Sequence, residues 1–183
     1  MKNYLFFSLL IIGLNCFGQN ETSELQTIFR VNALSPGIEL ELPLNQVSSL
    51  SINSGIGISG SYKNLSYTNS GITYFISPFM DLSYKKFYNI DKRLGKNKNI
   101  LGNSGNYWGI RLLSNFKEFK SENIIRKDNI DFAFGPTWGI QRAFSNFHFL
   151  FDVGSVYYFD TKGNSGFFPI MIQLNIGYDL KKW

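Results

Sequence analysis

The sequence predicts an all-β fold, namely an eight-stranded antiparallel up-and-down β-barrel that crosses a membrane. Two segments carry the clearest pattern, Ile130–Arg142 and Phe168–Leu180, because bulky side chains occupy their even positions and most of their odd positions are small or polar. Side chains that alternate with a period of two lie on opposite faces of a sheet. Both segments exceed the length of an average soluble strand and are long enough to cross a bilayer at a tilt.

The same alternation predicts four further long strands. Leu50–Tyr62, Ile72–Lys86, Asn106–Phe116 and Phe147–Phe159 each place mainly apolar side chains on one face. Segments with turn residues such as Asn and Gly separate them, apart from Lys117–Asn129, which is mostly charged and polar. The two-residue connection Ser145–Asn146 is typical of a hairpin turn.

The beginning of the predicted barrel has two interpretations. Apolar side chains fall on odd positions from Phe29 to Ala33 and on even positions from Ile38 to Leu42, so the faces exchange near Ser35–Gly37. A hairpin there gives two strands, whereas a bulge leaves one long strand. Single-chain bacterial barrels have even strand counts, so parity favours the hairpin and places both termini in the periplasm.

The polar faces decide between a soluble barrel and a membrane barrel. A water-exposed surface carries roughly 25–35% charged residues. The odd face of Leu50–Tyr62 has none, and that of Ile130–Arg142 has only Asp131. The small faces therefore suit a tight interior, and the apolar faces suit lipid. Aromatic residues near the strand ends fit an interfacial girdle: Tyr62, Trp108, Phe116, Phe144, Tyr178 and Trp183.

Three prolines oppose a closed membrane barrel, because proline donates no hydrogen bond to a sheet ladder. Pro169 lies near a predicted strand start, which tolerates it. Pro78 and Pro136 lie inside predicted strands, so a closed barrel requires local bulges beside them.

The N-terminal segment has the features of a secretory signal peptide. Lys2 precedes an apolar run from Tyr4 to Leu14, and Gly18 is a small residue suited to cleavage. Residues 1–18 are therefore predicted to be removed, which leaves residues 19–183 as one β-barrel domain without cysteine. A lipoprotein signal at Cys16 is the alternative. The net charge of +5 favours anionic lipid head groups over nucleic acid, for which we predict no role.

Short stretches resemble a known group of proteins. Arg30–Glu39 resembles the opening hairpin of small, porin-family-like outer-membrane β-barrel domain proteins of Gram-negative bacteria, and Tyr88–Arg93 with Gly105–Tyr107 is similar to one of their inter-strand segments. Gly177–Leu180 resembles the terminal signal that the barrel-assembly machinery reads, although the chain continues to Trp183. The resemblance implies location in the cell outer membrane and contact with that machinery during insertion.

Charged side chains are predicted in the interior, where they must be paired or hydrated. Two pairs fall on adjacent predicted strands, Arg30 with Glu39 and Asp81 with Arg111. We expect a salt-bridge network that fills the interior and sets the register; an ion or proton path is the alternative. No ligand spacing indicates a metal or another cofactor. The interior charges are Arg30, Glu39, Glu41, Asp81, Arg111, Asp131, Asp152 and Asp179.

His148, the only histidine of the chain, is predicted to point inward at the periplasmic rim, within reach of Asp179. Such a pair occurs in catalysis, but a rim pair that satisfies its own hydrogen bonds is the simpler interpretation. Lipid A deacylase barrels have a serine two residues after the histidine, where this chain has Leu150. No nucleophile–base set stands out, so no enzymatic activity is predicted.

The connection Phe87–Gly105 is long and basic for the periplasmic side, where barrel turns are usually short. It is either a docking site for peptidoglycan or another periplasmic partner, or a solvated loop. Its cations are Lys92, Arg93, Lys96 and Lys98. The opposite connections suit contacts with lipopolysaccharide phosphates through Tyr67, Lys117, Lys120, Arg126 and Lys127.

These patterns favour a non-catalytic integral outer-membrane β-barrel with a structural or surface-interaction role in a setting of outer-membrane lipid and lipopolysaccharide. A porin-like barrel for narrow transport or small-ligand binding is the alternative, because small inner residues leave room for a lumen. A lipid-modifying enzyme, which is less favoured, would depend on His148 and Asp179. The small inner residues are Gly55, Gly57, Ala133, Gly135 and Gly139.

Overall fold

The computed structural model describes residues 25–60, 74–122 and 128–183. The predicted signal peptide, residues 1–18, lies outside the described residues, as do Tyr62, Tyr67, Arg126 and Lys127. The described chain is all-β apart from one short helix, α1 (Ile90–Leu94). Its strands are β1 (Ile28–Asn32), β2 (Gly37–Asn45), β3 (Ser48–Gly60), β4 (Tyr74–Phe87), β5 (Gly105–Asn115), β6 (Lys120–Glu122), β7 (Asp131–Phe144), β8 (Phe147–Asp160) and β9 (Ser165–Lys182).

The strands form one antiparallel sheet that closes on itself. Neighbours in the sheet follow the order β3-β2-β1-β9-β8-β7-β5-β4, and pairing of β3 with β4 completes the ring. The short β6 continues the position of β5, because it pairs with Tyr74–Ile76 of β4 next to the stretch that pairs with β5. Nine described strands therefore occupy eight positions around the ring. The sequence placed β6 in a loop and did not predict α1.

The first two strands are joined by a hairpin. Residues 33–36 form the turn, and Asn32 pairs with Gly37 across it. The change of face in the sequence therefore marks two strands, as parity predicted, and not one bulged strand.

The ring is polar inside and apolar outside. On β7 the odd positions from Asp131 to Ala143 are all buried, whereas Phe134 and Trp138 on the even face are 48% and 42% exposed. The same contrast holds on β9, where Asp179 is 1% exposed and Leu180 is 55% exposed. The period-two pattern in the sequence therefore separates an inner polar face from an outer apolar face.

A bulge around Ser155 accommodates two of the three prolines. The β8–β9 register shifts between Gly154 and Val156, so no residue of β9 pairs with Ser155. Pro169 lies in β9 opposite this shift, and the β7–β8 pairing also omits Pro136 there. A bulge interrupts the ladder locally, so neither proline leaves a ladder acceptor unpaired in a regular stretch.

Pro78 lies at a second irregularity. β4 pairs with β5 up to Phe79 and with β6 from Ile76, so Pro78 lies opposite the break between β5 and β6. Its carbonyl accepts a hydrogen bond from the backbone N–H of Phe116 at 2.9 Å. The backbone N–H that Pro78 lacks would therefore have pointed to an interruption and not to a continuous ladder.

One end of the ring, which holds both ends of the described chain and is called here the termini end, is covered by a cap. The cap consists of residues 88–104 together with residues 25–27. Leu25 and Ile90 pack in it against Phe87 and Tyr107 at the ends of β4 and β5, and all four side chains are at most 2% exposed. The backbone of Gln26 exchanges two hydrogen bonds with the Asn103 side chain, at 2.7 and 2.9 Å.

Candidate functional site

The interior holds two groups of buried charges, and the first, the Arg30 group, is centred on an arginine from β1. The guanidinium of Arg30 contacts Asp179 and Glu41, each at 3.0 Å. Glu39 lies 3.4 Å from it, and Nε2 of His148 lies 3.1 Å from it. Arg30 is fully buried. Its charge is therefore balanced by protein carboxylates, as burial of a charge requires.

Lys85 is the second cation of the Arg30 group. Its Nζ lies 3.4 Å from Glu39 and 3.7 Å from Glu41. It also donates a hydrogen bond to Gln141 at 3.0 Å, and Gln141 donates to Glu41 at 2.9 Å. Since β2 and β7 occupy opposite positions in the ring, the contact between Gln141 and Glu41 crosses the interior. The ring is therefore filled at this level.

The Arg111 group lies next to it. Arg111, from β5, is 3.2 Å from Asp81 and donates two hydrogen bonds to Asp152, at 2.9 and 2.6 Å. Its guanidinium also donates to Gln173 of β9. The hydroxyl of Tyr107 donates to Asp152 at 2.9 Å. The bidentate contact fixes the orientation of the guanidinium as well as its charge.

Tyr107 connects the two groups. The Nζ of Lys85 lies 5.7 Å from the centre of the Tyr107 ring, within cation–π distance. Carboxylates of the Arg30 group contact Lys85, and the Tyr107 hydroxyl contacts the Arg111 group. Polar contacts therefore run continuously between walls of the ring that are not neighbours in the sheet.

Small inner residues make room for large inner rings. A Cβ added to Gly139 would lie 2.5 Å from Cζ of Tyr107 and 2.7 Å from Cβ of Asp152. A Cβ added to Gly57 would lie 3.0 Å from the Phe79 ring. Glycine in a strand often marks such a close approach. The two glycines therefore complement bulky inner side chains, which occupy space that the alternative interpretation, a transport barrel, left for a lumen.

The structure brings the predicted interior charges together in part. Arg30 contacts Glu39, and Asp81 contacts Arg111, across neighbouring strands. Asp152 joins Arg111, and Glu41 joins Arg30, over longer spans. Asp131 lies apart from both groups and accepts a hydrogen bond from Asn115 at 2.9 Å.

The predicted pair of His148 and Asp179 is not a hydrogen-bonded pair. Both side chains are 1% exposed, and each contacts Arg30 on its own. Among the described residues, Nδ1 of His148 has no hydrogen-bond partner. The guanidinium of Arg30 takes the carboxylate oxygen that the imidazole was expected to contact, because a full positive charge is the stronger partner in a buried site.

The sequence reasoning missed three members of the network. Lys85 occupies an inner position of β4, but Lys86 beside it gives the appearance of a solvated strand end. Gln141 and Tyr107 also occupy inner positions, and only the ring topology shows that they reach other walls. The alternation alone contained the signal for Lys85.

The predicted basic loop forms one wall of a cleft on the outside of the termini end. The cleft measures about 510 Å³. Arg142 of β7 joins the four predicted cations there, and Tyr88, Asn89 and Asn106 complete the lining. The cations are Lys92, Arg93, Lys96, Lys98 and Arg142.

At the opposite end, called here the far end, Asp128 links the connection before β7 to the connection between β8 and β9. Its carboxylate accepts hydrogen bonds from the hydroxyl and the backbone N–H of Thr161, the latter at 2.7 Å. The hydroxyl of Thr161 lowers the pKa of Asp128 below its ordinary value, because it stabilises the charged form.

In residues 25–60, 74–122 and 128–183, no group of three or more His, Cys, Asp or Glu side chains is arranged to hold a metal ion. No helix within these ranges has the length and apolar character needed to cross a membrane.

Comparisons with protein-family models, with curated proteins and with solved structures find no match for this chain. The resemblance to small outer-membrane proteins therefore stays a prediction from short stretches of sequence.

Proposed function

We propose that the chain is an integral outer-membrane β-barrel with a filled interior, which serves a structural or surface-interaction role without catalysis. The observation that carries the proposal is the inverted distribution of polarity around a closed sheet. Charged residues such as Arg30 and Glu41 are fully buried, whereas Ile58 and Ile172 on the outer face are 69% and 63% exposed. A water-soluble protein rarely exposes so continuous an apolar surface.

Closure of the sheet supports the same proposal. In lipid, every backbone N–H and C=O must be paired within the protein, so spanning strands need a ring without free edges. Pairing of β3 with β4 provides such a ring. β4, β7, β8 and β9 each contain at least 14 residues, which exceeds the 9–11 residues of a tilted spanning strand.

Fractionation tests the location. We expect the protein in the outer-membrane fraction, where it should migrate faster on gels before boiling than after boiling, because a closed barrel resists detergent. Recovery in the soluble fraction, or migration that heating does not change, would overturn the proposal.

A narrow transport barrel is the second candidate. Several buried inner oxygens have no hydrogen-bond partner among the described residues, including those of Asn53, Ser77 and Asn175. Such atoms usually contact internal water, and this observation favours a hydrated path. The contact between Gln141 and Glu41 across the ring opposes it. Single-channel recording separates the two: we expect no stable conductance steps from the refolded protein, and reproducible steps would favour transport.

A further inference from the structure

The basic cleft at the termini end lies on the outer wall of the ring and not at its mouth. Arg142 and Asn106 line it from even positions of β7 and β5. On both strands the even positions face outward, as the exposed Trp108 and Trp138 show. These two tryptophans pair across β5 and β7, two and four residues from Asn106 and Arg142. The cleft therefore adjoins an exposed aromatic pair on the same wall.

The segment that closes the cleft is fixed to this wall. The indole N–H of Trp138 donates a hydrogen bond to the Tyr88 hydroxyl at 2.9 Å. The Asn89 side chain accepts the backbone N–H of Asn106 at 2.8 Å. The Asn99 side chain donates to the Ala143 carbonyl at 3.1 Å, so the segment that carries the four loop cations is held beside Arg142 at both ends.

The cleft concentrates positive charge that the protein leaves unbalanced. Arg142 donates to the carbonyls of Gly105 and Gln141, each at 2.7 Å, and to the Asn106 side chain at 2.5 Å. Arg93 donates twice to the Asn99 carbonyl, at 2.6 and 3.2 Å. All these acceptors are neutral. Among the described residues, no carboxylate forms an ion pair with any of the five cations, and none lines the cleft. The neutral acceptors therefore orient the guanidiniums of Arg93 and Arg142 but leave their positive charge available to an anion.

We propose that this cleft binds the phosphate of an anionic glycerophospholipid. The inference rests on the proposed membrane barrel, because tryptophans on the outer wall then lie at the level of the lipid head groups. A lipid whose phosphate enters the cleft would lay its acyl chains along Trp108 and Trp138. Basic pockets at this depth bind anionic head groups, and each nearby cation contributes to the attraction.

The tryptophans provide the measurement. The chain has three, and a Trp183→Phe background leaves only the two beside the cleft. We would insert this full-length protein into phosphatidylcholine vesicles and add brominated lipids, which quench tryptophan on contact. We expect brominated phosphatidylglycerol to associate with the site at least about fivefold more strongly than brominated phosphatidylcholine.

Matched variants test the residues. Lys96→Gln/Lys98→Gln removes two cations of the cleft, and we expect it to abolish most of the preference. Lys117→Gln/Lys120→Gln removes two exposed cations at the far end, and we expect the preference to stay unchanged. A preference that survives the first pair of substitutions, or that the second pair reduces as strongly, overturns the proposal.

Further arms identify the source of the anion. If inorganic phosphate or a soluble peptidoglycan fragment displaces brominated phosphatidylglycerol at concentrations comparable with the lipid, the cleft recognises that soluble anion and the lipid assignment is wrong. Equal quenching by both brominated lipids also overturns the inference but leaves the membrane barrel intact. Failure to insert into vesicles, with gel migration that heating does not change, instead removes the proposed function itself.

Discussion

The two ends of the ring differ in how their interiors are filled. Toward the termini end, inner side chains such as Asn175 and Asp179 of β9 are 2% and 1% exposed. Toward the far end, beyond the bulge that exchanges the faces of β9, the inner residue Phe168 is only half-buried. The termini end also has the cap, whereas the described connections of the far end are held by local contacts such as that of Asp128 with Thr161. We therefore expect substitutions in the termini half to lower the free energy of unfolding more than substitutions in the far half.

The largest expected effect comes from removing Arg30. Arg30→Met leaves Glu39, Glu41 and Asp179 without their shared cation, so we expect the free energy of unfolding to fall by about 3–5 kcal/mol. Urea unfolding of the detergent-refolded protein measures the change. Arg30→Lys keeps the charge, so its free energy of unfolding should lie between those of the unsubstituted protein and Arg30→Met.

Lys117→Met at the far end is the matched control for Arg30→Met, because Lys117 is exposed. We expect it to change the free energy of unfolding by less than about 0.5 kcal/mol. Equal destabilisation by the two substitutions would contradict the contrast between the ends.

The next effect concerns the fit of Tyr107 against Gly139. Gly139→Ala places a methyl group against the Tyr107 ring, and we expect a loss of about 1–3 kcal/mol in the free energy of unfolding. Gly166→Ala is the control, because nothing lies within 4 Å of its added Cβ. Adding Tyr107→Ala to Gly139→Ala should cost less than the sum of the single substitutions. Strict additivity would show that the ring does not press on position 139.

A smaller effect is expected in the cap. Asn103→Ala removes both hydrogen bonds to the backbone of Gln26, which is half-buried, so we expect a loss of about 1 kcal/mol in the free energy of unfolding. Hydrogen exchange should become faster at Gln26 and at neighbouring cap amides. Asn164→Ala in the far-end turn should leave the cap amides unchanged, and an equal response of the cap would show that the ends are not independent.

The smallest effect is a pH dependence at the far end. The pKa of Asp128 is lowered in the folded state, so its contact with Thr161 stabilises the connection above the ordinary aspartate pKa and is lost as pH falls through the folded value. Exchange of the Thr161 amide should accelerate between about pH 5 and about pH 2 relative to its intrinsic rate. Asp128→Asn should remove this dependence, and a dependence that persists in the variant would assign it to another group.

The alternation of the sequence was sufficient to predict most strands and the orientation of their faces. Local spacing determines which side of a sheet a residue occupies, so inner positions such as Arg30 and Arg111 followed from parity. β6 has three residues, which are too few to show an alternation, and α1 is too short to show a helical period. Both elements depend on tertiary contacts that single-sequence patterns do not contain.

The contacts inside the ring were less accessible to sequence reasoning. Adjacent-strand pairs such as Asp81 with Arg111 follow from strand order, but the contact between Gln141 and Glu41 depends on the diameter of the ring and on side-chain length. The same is true of Arg30, which lies between His148 and Asp179. The interruptions of the ladder beside Pro78 and Pro136 became visible only when the register was known.

The accessibility of spin labels along β9 distinguishes a lipid-facing outer wall from a water-facing one. The one cysteine of the chain, Cys16, lies in the predicted signal peptide, so single cysteines from Ile172 to Asp179 can carry a spin label after its replacement by serine. In bilayers, we expect labels at Ile172, Leu174, Ile176 and Tyr178 to contact membrane-dissolved oxygen and labels at the positions between them to be shielded. A lipid-facing outer wall would be contradicted if labels at the even positions collided with a water-soluble nickel reagent and if the accessibility of the labels did not alternate along the strand.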